Sequence, residues 1–265
     1  MQLKISNKKD LPKLIGLLLT DGNVRFGSRT YRIVYAGKSD ELHQIFRKLM
    51  NNIFGLENFY EYTDKKGVKT TTYSSKIIGE YLINTCGTFK KAQSRTNPKD
   101  YPKINLKIFY EITTQELKEV FRLMFSADGG VVMGVKWHKR YNKWELTRRI
   151  ILKCSHPGMR KVYRYLLKER LEINTKEWDS SIAIDTKDDL FRFAKEISFV
   201  KNVKVSKKSL YWQGYNKNNI LSILIKTYKI KPERLKSFKM QNDVISNKPK
   251  NYWFEPADGC RALME

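Results

Sequence analysis

The sequence predicts an α+β fold of two pseudo-symmetric αββαββα lobes, each built on an antiparallel sheet. Three observations lead there. An order of apolar helix, strand hairpin, helix, hairpin and helix runs along the chain twice, and no shorter repeat of the solenoid kind is present. Each pass opens with an apolar helical run that stops at Asp-Gly, first at Asp21-Gly22 and again at Asp128-Gly129. The 265 residues, 41% hydrophobic and 12% aromatic, suffice for two packed units of about 100–150 residues each.

The first pass begins with an apolar helix over 11–19, entered through Asp10 as N-cap, with Pro12 tolerated in the first turn. At Asp21-Gly22 the glycine permits the backbone to turn. Aromatic and β-branched residues then mark strands at 24–26 and 30–36, around Gly27-Ser28. Ser39 caps a helix with apolar positions at Leu42, Ile45, Phe46, Leu49 and Met50. Strands at 59–63 and 68–73 flank a turn, and a helix over 75–84 closes the unit. Residues 86–107, with Pro98 and Pro102, form a linker. The second pass predicts a helix over 117–127, strands at 130–137 and 144–152, a helix over 157–169, a strand at 182–184 and a helix over 186–197. Ser155 is the expected counterpart of Ser39. A final helix over 220–229 and a basic tail have no partner in the first pass. The expected units are therefore 1–97, 98–230 including the linker, and a basic extension over 231–265.

Lys and Arg number 52 against 27 Asp and Glu, a formal net charge of +25. So much self-repulsion in a folded chain calls for a polyanionic partner, nucleic acid ahead of an acidic membrane surface. Cys86, Cys154 and Cys260 are scattered and form no CxxC, which argues against a disulfide framework or a cysteine zinc site and suits a reducing compartment. No run approaches the roughly 18–20 apolar residues of a membrane span, and the first ten residues lack the apolar core of a secretory signal. The expectation is an intracellular protein, cytoplasmic or organellar, without a membrane partner. His43 and His156 are expected to be surface or capping residues.

The chemistry centres on Leu14–Gly22, LIGLLLTDG, and Phe121–Gly129, FRLMFSADG. A carboxylate at the C-terminal end of a helix faces the carbonyl end of the dipole, so an Asp there costs stability unless a cation offsets it. One Asp-Gly is an ordinary turn. Two at matched places in a duplicated unit put both carboxylates at one spot if the helices pair. Two such like charges need a hard divalent cation, and Mg²⁺, or Mn²⁺ in its place, suits carboxylate, water and phosphate oxygens. That is a site for phosphodiester hydrolysis. Asp258-Gly259 lacks the preceding apolar helix and is set aside.

These two nonapeptides resemble the LAGLIDADG motif of homing endonucleases, and their separation is similar to that of single-chain, two-motif members. The resemblance covers residues 11–229. It implies motif helices paired at the lobe interface, Asp21 and Asp128 as catalytic metal ligands, and curved antiparallel sheets forming a DNA-binding saddle over the major groove. The first motif keeps the small residues Gly16 and Thr20, whereas the second has Arg122 and Leu123 where Ala and Gly are usual. Members also place a basic residue before the helix-opening Ser, which implies a catalytic role for Lys38. In the second lobe that position is Cys154; Lys153, one residue earlier on the opposite strand face, is the second, weaker catalytic candidate, so unequal lobes are expected.

The resemblance makes the hairpins the DNA-facing surface. Its candidates are Arg25, Arg29, Arg32, Lys65, Lys66 and Lys69 in the first lobe. In the second they are Lys136, His138, Lys139, Arg140, Lys143, Arg148 and Arg149. A one-sided sheet turns polar residues outward in any case, so about half of these are expected to be plain surface. The implied activity is site-specific cleavage of double-stranded DNA at a long, asymmetric target by a monomer. The alternative is a protein of the same fold with little or no cleavage, an RNA maturase acting on intron RNA or a DNA-binding protein.

Overall fold

The computed structural model describes residues 5–89, 101–138, 140, 143–178, 180–206 and 212–229. The first pass runs α1 (Leu11–Thr20), β1 (Gly22–Phe26), β2 (Tyr31–Gly37), α2 (Asp40–Phe54), β3 (Tyr60–Thr63), β4 (Lys69–Ser74) and α3 (Lys76–Cys86). The second runs α4 (Thr114–Asp128), β5 (Gly129–His138), β6 (Lys143–Lys153), α5 (Pro157–Leu171), β7 (Lys176–Trp178), β8 (Ser181–Ile184) and α6 (Lys187–Glu196). Helix α7 (Lys217–Lys226) follows. The order is αββαββα twice, and β7 of the second pass is a strand the periodicities do not predict. The expected extension over 231–265 lies outside the described residues. Among them no helix is long and apolar enough to cross a membrane.

Both sheets are antiparallel and four-stranded, ordered β1-β2-β4-β3 and β5-β6-β8-β7. Their ladders begin alike, with Gly22 opposite Tyr35 and Gly129 opposite Leu152. Alternation sorts the faces: Val24, Ile33, Tyr35, Thr71 and Tyr73 are buried, while Arg25 and Arg32 are exposed. Strand β7 carries no sequence signal of its own. Its three residues, Lys-Glu-Trp, are all exposed at a sheet edge, so no alternation exists to be read.

The lobes meet where α1 packs on α4. Gly16 meets Val120 and Met124 there, and all three are buried. A Cβ at Gly16 would lie 3.0 Å from Val120 Cγ1 and 3.4 Å from Met124 Cγ, so the missing side chain at Gly16 permits the close approach. Arg122 and Leu123 leave this packing intact. Leu123 is buried, and Arg122 Nε donates to the Ile197 carbonyl at 2.7 Å. The helices run parallel. Lys13 pairs with Glu119 at 3.0 Å near one end, Gly16 meets Val120 and Met124 midway, and Thr20 shares a cavity with Asp128 at the other.

Several local expectations are corrected. Gly22 and Gly129 are not needed for a left-handed turn, since neither has a positive φ. A Cβ would fall 2.4 Å from Leu18 Cα in the first case and 2.5 Å from the Phe125 carbonyl oxygen in the second. Each strand leaves across the last turn of its helix, and only glycine fits beneath. Asp10 makes no capping bond to α1; its carboxylate accepts from Asn7 Nδ2 at 2.9 Å and pairs with Lys13 at 2.5 Å. Ser39 caps α2, but α5 is capped by His156 rather than Ser155, its Nδ1 accepting from the Met159 N–H at 3.2 Å. His43, expected at the surface or a cap, is fully buried, 2.7 Å from Thr71 Oγ1.

Two basic residues expected on the DNA face lie on the opposite, helix-covered side of their sheets. Lys69 has the parity of Thr71 and Tyr73 and is ion-paired with Asp40 and, at 3.6 Å, with Glu61. Arg148 has the parity of the buried Leu146 and Ile150. Its Nε donates to Thr227 Oγ1 at 2.7 Å and its Nη2 to the Thr227 carbonyl at 3.0 Å, with the guanidinium 4.3 Å over the Tyr228 ring. It fastens the chain just after α7. Two outcomes follow in urea unfolding. Gly16→Val destabilises by about 1–3 kcal/mol through overpacking, and adding Val120→Ala recovers part of the loss. Arg148→Ala costs about 2 kcal/mol through lost charged hydrogen bonds, while Arg25→Ala stays within about 0.5 kcal/mol.

Candidate metal site and nucleic-acid surface

Parallel packing of α1 and α4 brings their C-terminal ends to the same side of the molecule, and each end carries a carboxylate. Asp21 is the C-cap of α1, and its carbonyl accepts from the Ala36 N–H at 3.0 Å, fixing it to β2. Asp128 is the last residue of α4. Both are half-buried. They also act on the same neighbours. Burial first, then the charges of Asp21 and Asp128, pushes the Tyr35 phenol well above its ordinary pKa, so it stays a neutral donor. The same two charges reach Lys217, whose pKa burial nonetheless pulls down to about 8.

Among the described residues, the Tyr35 hydroxyl has no hydrogen-bond partner despite its burial. The second lobe repeats this with a different residue. Tyr163, from α5, is also buried with an unpartnered hydroxyl, and it lines a cavity of 140 Å³ together with Asp128, Lys153 and Cys154. Each carboxylate thus has one orphaned phenol in its surroundings.

The donor chemistry fits a hard cation. No cluster of three or more His, Cys, Asp or Glu occurs among the described residues. At this end of the two helices the described residues offer two carboxylates, a donor set that suits Mg²⁺, which keeps several waters and takes phosphate oxygens. The orphaned Tyr35 hydroxyl is the kind of group that such a water would satisfy.

Lys38 is exposed in the β2–α2 connection, and its Nζ donates across to Ser206 Oγ of the second lobe at 3.3 Å. Its counterpart is not Cys154. Lys38 comes three residues after Tyr35, and three after Leu152 comes Ser155, so the second lobe has no lysine at this place. Lys153 corresponds to Ala36 instead; it is exposed beside Asp128.

On the outer face of the first sheet lies a groove of 640 Å³ that reaches Asp21 and is lined by Arg25, Arg32, Tyr60 and Tyr62. Arg29, Lys65 and Lys66 are exposed at the two hairpin turns of that sheet. In the second lobe Arg149 has outward parity, with its guanidinium 4.3 Å over Trp178 and 3.9 Å from Asp185. Arg140 is exposed at the β5–β6 turn. Lys136, His138 and Lys143 stand in the outer ladder of β5 and β6, where the backbone alone is described, and Lys139 falls outside the described residues.

Sequence reasoning missed Lys217, Tyr35 and Tyr163. Tyr35 and Tyr163 look like core aromatics in a periodic pattern, and Lys217 looks like a surface residue next to an Asn cap. In fact the Lys217 Nζ is buried and donates to the Ser126 and Gly129 carbonyls, both at 2.7 Å.

No family model and no curated protein matches the chain. Among solved structures it is similar to the homing endonuclease I-WcaI bound to its DNA recognition sequence, at 16% identity and a TM-score of 0.49, over 80% of this chain and 89% of that one. It is similar to I-DmoI in complex with DNA and Mn, at 16% identity and a TM-score of 0.47, over 71% and 96%. Full-length DUF199/WhiA from Thermatoga maritima gives 15% identity and a TM-score of 0.49, over 89% of this chain and 66% of that one. At these identities the likeness to these three structures is one of chain path alone.

Proposed function

We propose that the protein is a divalent-metal-dependent endonuclease that cleaves double-stranded DNA at a specific site. The observation that carries this reading is the pair of carboxylates, one from each half of the chain, at the same end of two packed helices. Beside Asp21 opens a groove lined by Arg25 and Arg32, in a chain of net charge +25. A protein with that excess binds polyanions, and cationic side chains along an antiparallel sheet match phosphates and guanine edges of a duplex.

In this reading Asp21 and Asp128 hold Mg²⁺ or Mn²⁺. When bound, such an ion supplies an activated water and stabilises the leaving oxygen of the phosphodiester. Lys38, exposed and 3.3 Å from Ser206 Oγ, orients the scissile phosphate or its attacking water. Tyr35, kept neutral, donates a hydrogen bond within the site. Arg25, Arg29, Arg32, Lys65 and Lys66 position one half of the duplex, and the β5–β6 hairpin with Arg149 the other. The lobes are unequal, because Ser155 takes the place of Lys38 in the second.

The test starts from a target selected out of a randomised duplex library. The protein cleaves it in Mg²⁺ and not in EDTA. Asp21→Asn and Asp128→Asn each lower kcat by at least about 100-fold without weakening binding measured in EDTA, the size of loss expected on removing a group that acts in the transition state. Equal cleavage by both variants and wild type removes the carboxylate assignment. On supercoiled plasmid bearing the site, nicked circles accumulate before linear product, as unequal lobes require; strictly concerted linearisation contradicts the inequality. Affinity falls steeply with salt. Tight duplex binding without cleavage in Mg²⁺ or Mn²⁺ identifies a DNA-binding protein instead, and tighter binding of intron RNA than of duplex a maturase.

A further inference from the structure

A lysine at the first position of α7 is in an unfavourable place. The N-terminal end of a helix is the positive end of its dipole, where a cation is destabilised. Lys217 stands there, directly after the N-cap Asn216, and is 7% exposed. Burying an ammonium without compensation is costly. The two costs coincide at one residue, and it nonetheless forms part of a well-tied segment. The Lys217 N–H donates to the Val203 carbonyl at 2.9 Å, and the Asn218 side chain is bonded to both Ser198 and Phe199.

The compensation lies at the opposite helix end. Lys217 Nζ donates to the Ser126 and Gly129 carbonyls, on either side of Asp128, where α4 presents the negative end of its dipole. Two backbone acceptors use two of the three ammonium protons and supply no full negative charge. The full negative charges that act on Lys217 are Asp21 and Asp128. First-lobe α1 ends in the same Asp-Gly, yet no helix equivalent to α7 follows α3 among the described residues.

We infer that Lys217 is the fixed counter-charge of the Asp21–Asp128 pair, a positioning residue that lets two carboxylates stand together when no metal is bound. The inference rests on the reading of these carboxylates as one site. On this account the lysine and a divalent ion answer the same excess of negative charge, so each matters less in the presence of the other.

A double-mutant cycle on thermal unfolding in EDTA tests this. Lys217→Met is made in the wild-type chain and in an Asp21→Asn/Asp128→Asn background. The expected result is a loss of Tm that shrinks by at least about 3 °C once the carboxylates are amides, about 1 kcal/mol at this chain length. A helix cap bonding only to backbone carbonyls costs the same in both backgrounds, and that result overturns the inference. Should Lys217→Met alone fail to fold, folding of the triple variant upholds the inference, and failure of both overturns it. Millimolar Mg²⁺ provides the second arm, raising the Tm of Lys217→Met more than that of the wild-type chain. A positive cycle without any effect of Mg²⁺ leaves the counter-charge standing and counts against the metal reading of Asp21 and Asp128.

Discussion

The architecture depends on one contact, the parallel packing of α1 against α4 at Gly16. A Cβ at that position would crowd Val120 and Met124, so the missing side chain is what lets the helices, and their C-terminal ends, lie close together. Because the contact is parallel, the dipoles of both helices point their negative ends the same way, and each end carries an acidic side chain as well. A buried apolar contact, with Val120 and Met124 closed onto Gly16, holds this electrostatically unfavourable arrangement together. The hydrophobic interface thus holds together a concentration of negative charge that electrostatics alone would disperse.

Duplication is visible in topology and has decayed in detail. Both sheets have the same strand order and the same first ladder pair. The residues at equivalent places have diverged in ways that preserve physics rather than identity. Tyr35 on β2 packs beside Phe46, the seventh residue of α2. In the second lobe the strand position is Leu152 and the seventh residue of α5 is Tyr163. The hydroxyl stands on a strand in one lobe and on a helix in the other, and among the described residues each lobe has one buried, unpartnered phenol. The helix caps show the same drift, with Ser39 in one lobe and an imidazole, His156, in the other.

The charge of the protein is likewise sorted by the fold. Arg25 and Arg32 reach the outer groove, whereas Lys69 and Arg148 are turned inward and spent on carboxylates, hydroxyls and carbonyls. Arg149, next in the chain to Arg148, takes the other face and stacks on Trp178. A basic sheet of this kind therefore divides its cations between holding helices and lining its outer face, one residue apart along the same strand.

Periodicity in the sequence determined the helices, the hairpins, their duplication and the Asp-Gly ends, because burial of one face imposes 3.6- and 2-residue repeats that any chain with such elements must carry. It did not mark β7, which buries nothing, nor the cap at His156, where an imidazole does what hydroxyls and carboxylates usually do. Nor could it decide which face each strand cation takes, since a one-residue difference in register reverses the answer. Only tertiary packing brought Lys217, distant in sequence from both motifs, onto the carbonyls flanking Asp128. Local pattern records what a residue needs from its neighbours along the chain. The field of two converging helix ends exists only once the chain has folded.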